Sequence, residues 1–147
     1  MKDERETRKK LLASAKKEFL EKGYAAASLR SICKQAEVTT GALYFFFKDK
    51  ADLFKSLVEE PLQKVYAAMM AHYREEAETA PQTLPEHLSD SRDFQTALEI
   101  IHYMYQYYDE CLLVLTKAQG SGFENFVDRL VDITKQHYRE LADRYCR

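Results

Sequence analysis

Apolar positions along this chain recur at three- and four-residue spacing almost from end to end, the period of helices with one buried face. The spacing predicts a first helix over about Glu4–Lys22, with Leu12, Ala15 and Phe19 on one face and Leu11 and Leu20 beside it. Gly23 follows the last turn, where a helix C-terminus favours glycine. After a short Ala25-Ala26-Ala27 connection, Ser28 stands where an N-cap hydroxyl is wanted. It opens a short helix with Leu29, Ile32, Cys33 and Ala36 inward. Glu37-Val38 then makes a tight turn, and Thr39 caps a second short helix, TTGALYFFF. Asp49 can cap a longer helix from Lys50, with Asp52 three residues on, favourable near the positive helix end. That helix carries Leu53, Phe54, Leu57, Val58, Leu62, Val65, Tyr66, Met69, Met70 and Tyr73. Pro61 lies inside it and removes a backbone hydrogen bond, so a kink or break is expected near Leu57–Pro61.

Thr79–Ser91 holds the other two prolines and reads as a loop. A new helix is expected from Asp90 or Ser91 through Ile100, Met104, Tyr107 and Tyr108, breaking near Asp109 and restarting through Leu112, Val114 and Leu115. Gly120-Ser121-Gly122 is the clearest interior breaker before a last amphipathic helix, about Phe123–Tyr145, with Phe126, Leu130, Ile133, Tyr138 and Leu141. With four glycines, three prolines and almost no strand signal, the fold class is all-α. A three-helix helix-turn-helix domain over 1–48 is expected to precede a helical domain over 49–147.

Composition narrows this picture. The chain has 147 residues, 46% hydrophobic and 31% charged, which fits one or two small globular domains. No apolar run approaches the roughly 20 residues that span a bilayer, and the charged N-terminus lacks the order of a signal peptide. Cys33, Cys111 and Cys146 are odd in number and far apart, so a reducing cytoplasm is the expected compartment. The net charge of −2 hides an asymmetry. Residues 1–50 hold 12 Lys/Arg against 7 Asp/Glu, whereas 51–147 hold 10 against 17. A basic end on an acidic body points to a polyanion partner at one end.

Two short helices joined by a tight turn form a unit whose second helix can enter the roughly 12 Å wide major groove of duplex DNA. Ser28, Thr39 and Lys50 lie at or beside helix N-termini, whose free N–H groups attract phosphates. Thr39, Thr40, Gly41 and Ala42 are short and let the backbone approach the duplex. Thr40 can bond a base edge or meet a thymine methyl, and Arg30 can bond guanine bidentately. Tyr44 can reach a phosphate with its hydroxyl, and Phe45 can lie against sugar or a thymine methyl. The segment GYAAASLRSICKQAEVTTGALYFFFKDKADLF resembles the DNA-binding region of TetR-type transcriptional regulators, at Gly23, Ser28, Ile32, Ala36, Val38, Thr39, Gly41, Leu43, Tyr44, Phe47, Lys50 and Leu53. Leu12, Ala15 and Phe19 match the preceding helix, and the resemblance is close over 8–55.

The resemblance implies a dimeric regulator, generally a repressor, that binds a palindromic operator and is released by a small-molecule effector held in its C-terminal domain. By position, Ser28, Thr39, Tyr44 and Lys50 become backbone contacts, Arg30 and Thr40 base readers, and Leu43 core. Two positions depart from the pattern. Glu37 stands where the family often has glycine, and Phe46 where it commonly has a phosphate-contacting histidine. The family also implies two further helices, forming the dimer bundle, beyond the last one read here. The sequence ends at Arg147, so an exposed apolar stripe on Phe123–Tyr145 is the expected mark of a missing partner.

The second region is rich in tyrosine and methionine. Tyr66, Met69, Met70 and Tyr73 on one helix and Tyr103, Met104, Tyr107, Tyr108 and Cys111 on another could enclose an effector cavity, or simply form core. A hydrophobic ligand fits such a lining, and so does a cationic one, held by ring faces and by Glu99, Asp109 or Glu110. His72, His87, His102 and His137 show no metal-ligand spacing, and no nucleophile-elbow, Walker or dinucleotide glycine pattern is present. Neither a cofactor nor an enzymatic activity is therefore expected. The competing reading is a small helical ligand-binding or enzymatic module in which the helix-turn-helix is only structural.

Overall fold

The computed structural model describes residues 2–79 and 91–145. Its elements are α1 (Lys2–Ala26), α2 (Leu29–Ala36), α3 (Thr40–Phe46), α4 (Lys50–Thr79), α5 (Ser91–Gln106), α6 (Tyr108–Thr116) and α7 (Phe126–Tyr145). There is no strand among the described residues. The loop expected over Thr79–Ser91 falls almost wholly outside them.

The local signals act where their chemistry requires. Gly23 takes φ 77°, ψ 163° inside α1, a conformation costly for a residue with a Cβ, and interrupts the helix. Ser28 caps α2 by accepting from the Ser31 N–H, and Thr39 caps α3 by accepting from the Ala42 N–H at 3.1 Å. At the head of α4 two carboxylates each accept a backbone N–H. The Asp52 N–H donates to the Asp49 carboxylate at 2.8 Å and the Lys48 N–H to the Asp52 carboxylate at 3.0 Å.

Four expectations are corrected. Leu11, not Leu12, is central to the buried face of α1, with Ala15 and Phe19. α4 continues through Pro61 without a break. Pro61 is itself buried, and Val58 and Leu62 on either side anchor the helix, so packing outweighs one missing hydrogen bond. The break between α5 and α6 lies at Tyr107 (φ −117°, ψ 43°) rather than Asp109. Helical bonding persists across it, from the Tyr107 N–H to the Tyr103 carbonyl and from the Cys111 N–H to the Tyr107 carbonyl, each 2.9 Å. α7 starts at Phe126, because the Gly120 N–H binds the Glu124 carboxylate at 2.7 Å and the Phe123 N–H binds Ser121 Oγ, holding a run of turns.

One core joins both ends of the chain. Leu11, Phe19, Ile32, Leu43 and Phe47 pack with Leu53, Phe54 and Val58 of α4, and the same cluster extends to Leu113, Val114 and Ala118 around α6. Phe19 and Phe54 meet edge to face at 5.0 Å. α6 is tied to α1 at two further points. Lys16 Nζ donates to Glu110 at 3.1 Å and lies 3.6 Å from Asp109, and the Tyr24 N–H donates to the Lys117 carbonyl at 2.8 Å. α5 lies along α4. α7 meets α4 through Tyr73, whose ring stacks on His137 at 4.1 Å and whose hydroxyl hydrogen-bonds Thr134 at 2.7 Å. No helix of the described residues is long and apolar enough to cross a membrane.

Candidate nucleic-acid interface

α3 is held by two residues and presents the rest. Leu43 and Phe47 are fully buried, while Thr39, Thr40, Gly41, Tyr44 and Phe45 are exposed and Ala42 is half-buried. The proposed contact residues of α3 therefore share its outward surface. Tyr44 and Phe45 are 58% and 71% exposed, the only large apolar side chains so exposed among the described residues of the first three helices. Ser28 and Arg30 are exposed on α2. Phe46 is half-buried and meets Phe45 edge to face at 4.9 Å, so an aromatic pair stands where a polar contact was expected from the resemblance.

Glu37 has φ 57°, ψ 39°, the left-handed conformation expected at that turn, and its N–H satisfies the Cys33 and Lys34 carbonyls. Lys50 points inward more than the sequence implied. Its Nζ donates to the Ala25 and Ala27 carbonyls at 3.2 and 3.1 Å and sits 4.8 Å from the centre of the Tyr24 ring. It clamps the α1–α2 connection to the start of α4.

Two residues near the surface escaped the sequence reading. Glu18 on α1 is completely buried. Its carboxylate accepts from Lys22 Nζ at 2.9 Å, the Ser28 N–H at 3.1 Å, Ser31 Oγ at 2.8 Å and Gln35 Nε2 at 3.0 Å. Burial alone would raise its pKa. The hydrogen bonds from Lys22, Ser31 and Ser28 outweigh burial and hold it at about 2, against an ordinary 4.5. Glu18 thus fixes α2 on α1. Its only local sequence signal is Lys22 four residues on; the other partners are 10 to 17 residues away. Arg8 places its guanidinium 5.4 Å from the Phe47 ring, beside the end of α3. The basic excess of residues 1–50 was its only sequence signal.

The residues grouped as an effector site do not meet in one enclosed cavity. Tyr66 lines a cleft of about 380 Å³ between α4 and α7, with Leu62, Phe126, Leu130, Ile133 and Glu59. Met69 and Met70 are half-buried on α4, and Tyr73 is a packing residue against α7. Tyr107 lines a separate cleft of about 350 Å³ with Leu12, Lys16, Leu57, Glu60 and Glu110, and its hydroxyl pairs with Lys64. The Tyr103 hydroxyl donates to Glu99 at 3.0 Å, and this bond raises its pKa. Met104, Tyr108 and Cys111 line a third, smaller groove of about 250 Å³. The physical reason is helical phase. Tyr103 and Tyr107 lie on one side of the continuous α5–α6 stretch, and Met104 and Tyr108, each one residue later, turn about 100° away.

Burial raises the pKa of Cys33 and of Cys111, which keeps both thiols protonated. His137 and His72 approach the same Glu76 oxygen at 2.7 and 3.7 Å, although they are far apart in sequence. No group of three or more potential metal ligands converges among the described residues.

Comparison with known proteins bears on the first half of the chain above all. The family model described as bacterial regulatory proteins, tetR family, matches residues 11–57. The HTH-type transcriptional repressor BepR of Brucella suis is 45% identical over 53 residues, 36% of this chain and 25% of that protein. The HTH-type transcriptional regulator TtgR of Pseudomonas putida is 26% identical over 125 residues, 79% of this chain and 59% of that protein. The matched region thus spans a quarter of the first relative and about three fifths of the second. A solved transcriptional regulator (TerR/AcrR family) from Aquifex aeolicus superposes with a TM-score of 0.58 at 22% identity, over 95% of this chain and 72% of that one. That likeness is one of fold. The named relatives are transcriptional regulators.

Proposed function

We propose that this chain, whose residues 11–57 match the model of the tetR family of bacterial regulatory proteins, is a cytoplasmic transcriptional regulator of that family that binds a palindromic DNA operator as a homodimer. The observation that carries this reading is α3: a helix anchored by Leu43 and Phe47 whose outward surface holds Thr39, Thr40, Gly41, Tyr44 and Phe45. In this reading residues 1–48 bind DNA and 49–147 regulate. Thr40 and Arg30 read base edges, and Ser28, Thr39 and Tyr44 position the backbone. Lys50 acts mainly by holding the α1–α2 connection, with one N–H left for a phosphate. Repression is favoured by the similarity to a named repressor.

A small hydrophobic or cationic effector is proposed to act through the cleft between α4 and α7, where Tyr66, Leu62 and Ile133 supply apolar surface and Glu59 charge. The response passes to the DNA surface through α6, which carries the Lys16–Glu110 ion pair and the Tyr24–Lys117 hydrogen bond. Moving α6 would change the separation of two α3 helices, which a two-half-site operator requires at roughly 34–36 Å or a multiple.

Selection of bound duplexes from a random pool tests the DNA reading. A two-fold symmetric sequence should be enriched, with affinity falling steeply as salt rises through counterion release. Absence of any duplex binding at low salt overturns it. Arg30→Ala and Thr40→Ala should relax base preference at defined positions; unchanged preference removes those two assignments.

A further inference from the structure

The cleft of about 380 Å³ between α4 and α7 combines apolar walls with two polar groups that the fold itself leaves unused. Leu62 of α4 and Phe126, Leu130 and Ile133 of α7 supply the walls. Arg129 of α7 and Tyr66 of α4 line the same cleft. Among the described residues, neither the Arg129 guanidinium nor the Tyr66 hydroxyl has a hydrogen-bond or charge partner. The other charged residue of the lining, Glu59, is already engaged. Lys55 Nζ lies 3.4 Å from its Oε1, and Gln63 Nε2 donates to the same oxygen at 3.4 Å. With Lys55 set against Glu59, the cleft keeps one unmatched charge, the positive one of Arg129. The cleft is also distinct from the exposed apolar stripe of α7. Val127 and Val131 of that stripe each follow one residue after Phe126 and Leu130 and turn about 100° away.

We propose that this cleft takes an amphipathic organic anion, with an apolar body between α4 and α7 and a carboxylate on Arg129 and the Tyr66 hydroxyl. The guanidinium is a planar fork of N–H donors, two of which meet both oxygens of one carboxylate. Such charge-assisted bonds are roughly twice as strong as neutral ones. An organic cation would have to take Glu59 from Lys55 and Gln63 and then sit beside a like charge. A neutral apolar molecule would strip water from Arg129 and return no counter-charge. The volume falls in the range of small-molecule sites, about 300–1,000 Å³, with room for a two-ring body. The anion narrows the effector class of the functional reading above and rests on that reading for its effect on DNA, while its binding is measured without DNA.

Calorimetric titration of the full chain with three compounds that share one naphthalene body tests it: naphthoate, naphthylmethanol and naphthylmethylammonium. The anion should bind at least about 10-fold more tightly than the alcohol or the ammonium. Arg129→Ala should remove that advantage and leave the affinity of the alcohol unchanged. Arg129→Lys keeps the charge without the fork and should retain part of it, and Tyr66→Phe should weaken the anion by a few-fold. Arg139→Ala, on α7 but outside the cleft, should change nothing, which separates a specific contact from general attraction to positive charge. Arg129 and Arg139 are exposed, so both variants should keep their helical circular dichroism. Binding led by the alcohol or the ammonium overturns the anion and leaves the effector reading standing. So does a preference for the anion that survives Arg129→Ala. Absence of binding by all three at millimolar concentration overturns the cleft as a ligand site and both readings with it. Duplex affinity is measured in parallel with and without naphthoate. Naphthoate that binds through Arg129 yet leaves duplex affinity unchanged counts against the effector reading and leaves the anion site standing.

Discussion

The first three helices and the last three solve the problem of covering apolar surface in opposite ways. From Leu11 to Val58 every large apolar side chain is buried or half-buried, apart from Tyr44 and Phe45 on the outward face of α3. From Phe94 to Tyr138, ten large apolar side chains are exposed. The difference lies in what each region packs against. α1, α2 and α3 close on one another and on the head of α4, so their exposed aromatics stand out as a surface feature. α5 and α7 each rest one face on α4 and leave the other exposed. Exposed aromatic residues therefore carry different meanings in the two regions.

Removing a core anchor from the first region should have the largest effect. Phe47→Ala deletes a fully buried ring at the end of α3 and should cost about 3–5 kcal/mol in urea denaturation. A loss below about 1 kcal/mol would mean that α3 is not held as described. Glu18→Ala comes next, at about 1–3 kcal/mol, since it leaves the part-buried donors of Ser28, Ser31 and Gln35 without their shared acceptor. Its pH dependence has a definite sign. A carboxylate held at about 2 when folded and near 4.5 when unfolded stabilises the protein fully above pH 4.5. That contribution is lost as pH falls from 4.5 toward 2. Glu18→Gln should therefore flatten the acid limb of the stability curve in that window; an unchanged limb would show that another group governs it.

Smaller effects sharpen the contrast. Glu37→Gly should raise stability by about 0.5–1 kcal/mol, as relief of the left-handed φ exceeds the added chain entropy of glycine. Thermal melts of the two proteins under one buffer decide the sign. Phe94→Gln should change the stability of the dilute monomer by less than about 0.5 kcal/mol, because the ring is 66% exposed. A loss of several kcal/mol there would place Phe94 in a core and erase the distinction between the two regions.

The helix-turn-helix was legible in the sequence because its determinants are local. Gly23, Ser28, Thr39 and Asp49 each act within four residues of their own position, through a backbone angle or a single cap. Glu18 was invisible for the opposite reason, since most of its partners come from α2 after a turn whose course no local pattern fixes. Pro61 misled because its local cost is real, yet Val58 and Leu62 hold the helix through it. In the second region, residue type overrode phase. Tyr103, Met104, Tyr107 and Tyr108 looked like one lining, although α5 directs neighbours in this set to different surroundings. The same positions, read by spacing, separate into a half-buried pair, Tyr103 and Tyr107, and an exposed pair, Met104 and Tyr108.

The continuity of the core from Phe19 through Phe54 to Leu113 and Ala118 has a consequence for exchanging DNA specificity between relatives. A chimaera joined at residue 48 would graft the α1–α3 portion of one protein onto the α4 and α6 of another. The edge-to-face ring pair, the Lys50 clamp and the Lys16–Glu110 tie would then all cross the junction of the graft. Each would have to match by chance. A transplant confined to the outward residues of α2 and α3 leaves those contacts native. On the proposed DNA-binding reading, a new operator preference is thus better sought by resurfacing one helix than by swapping a domain.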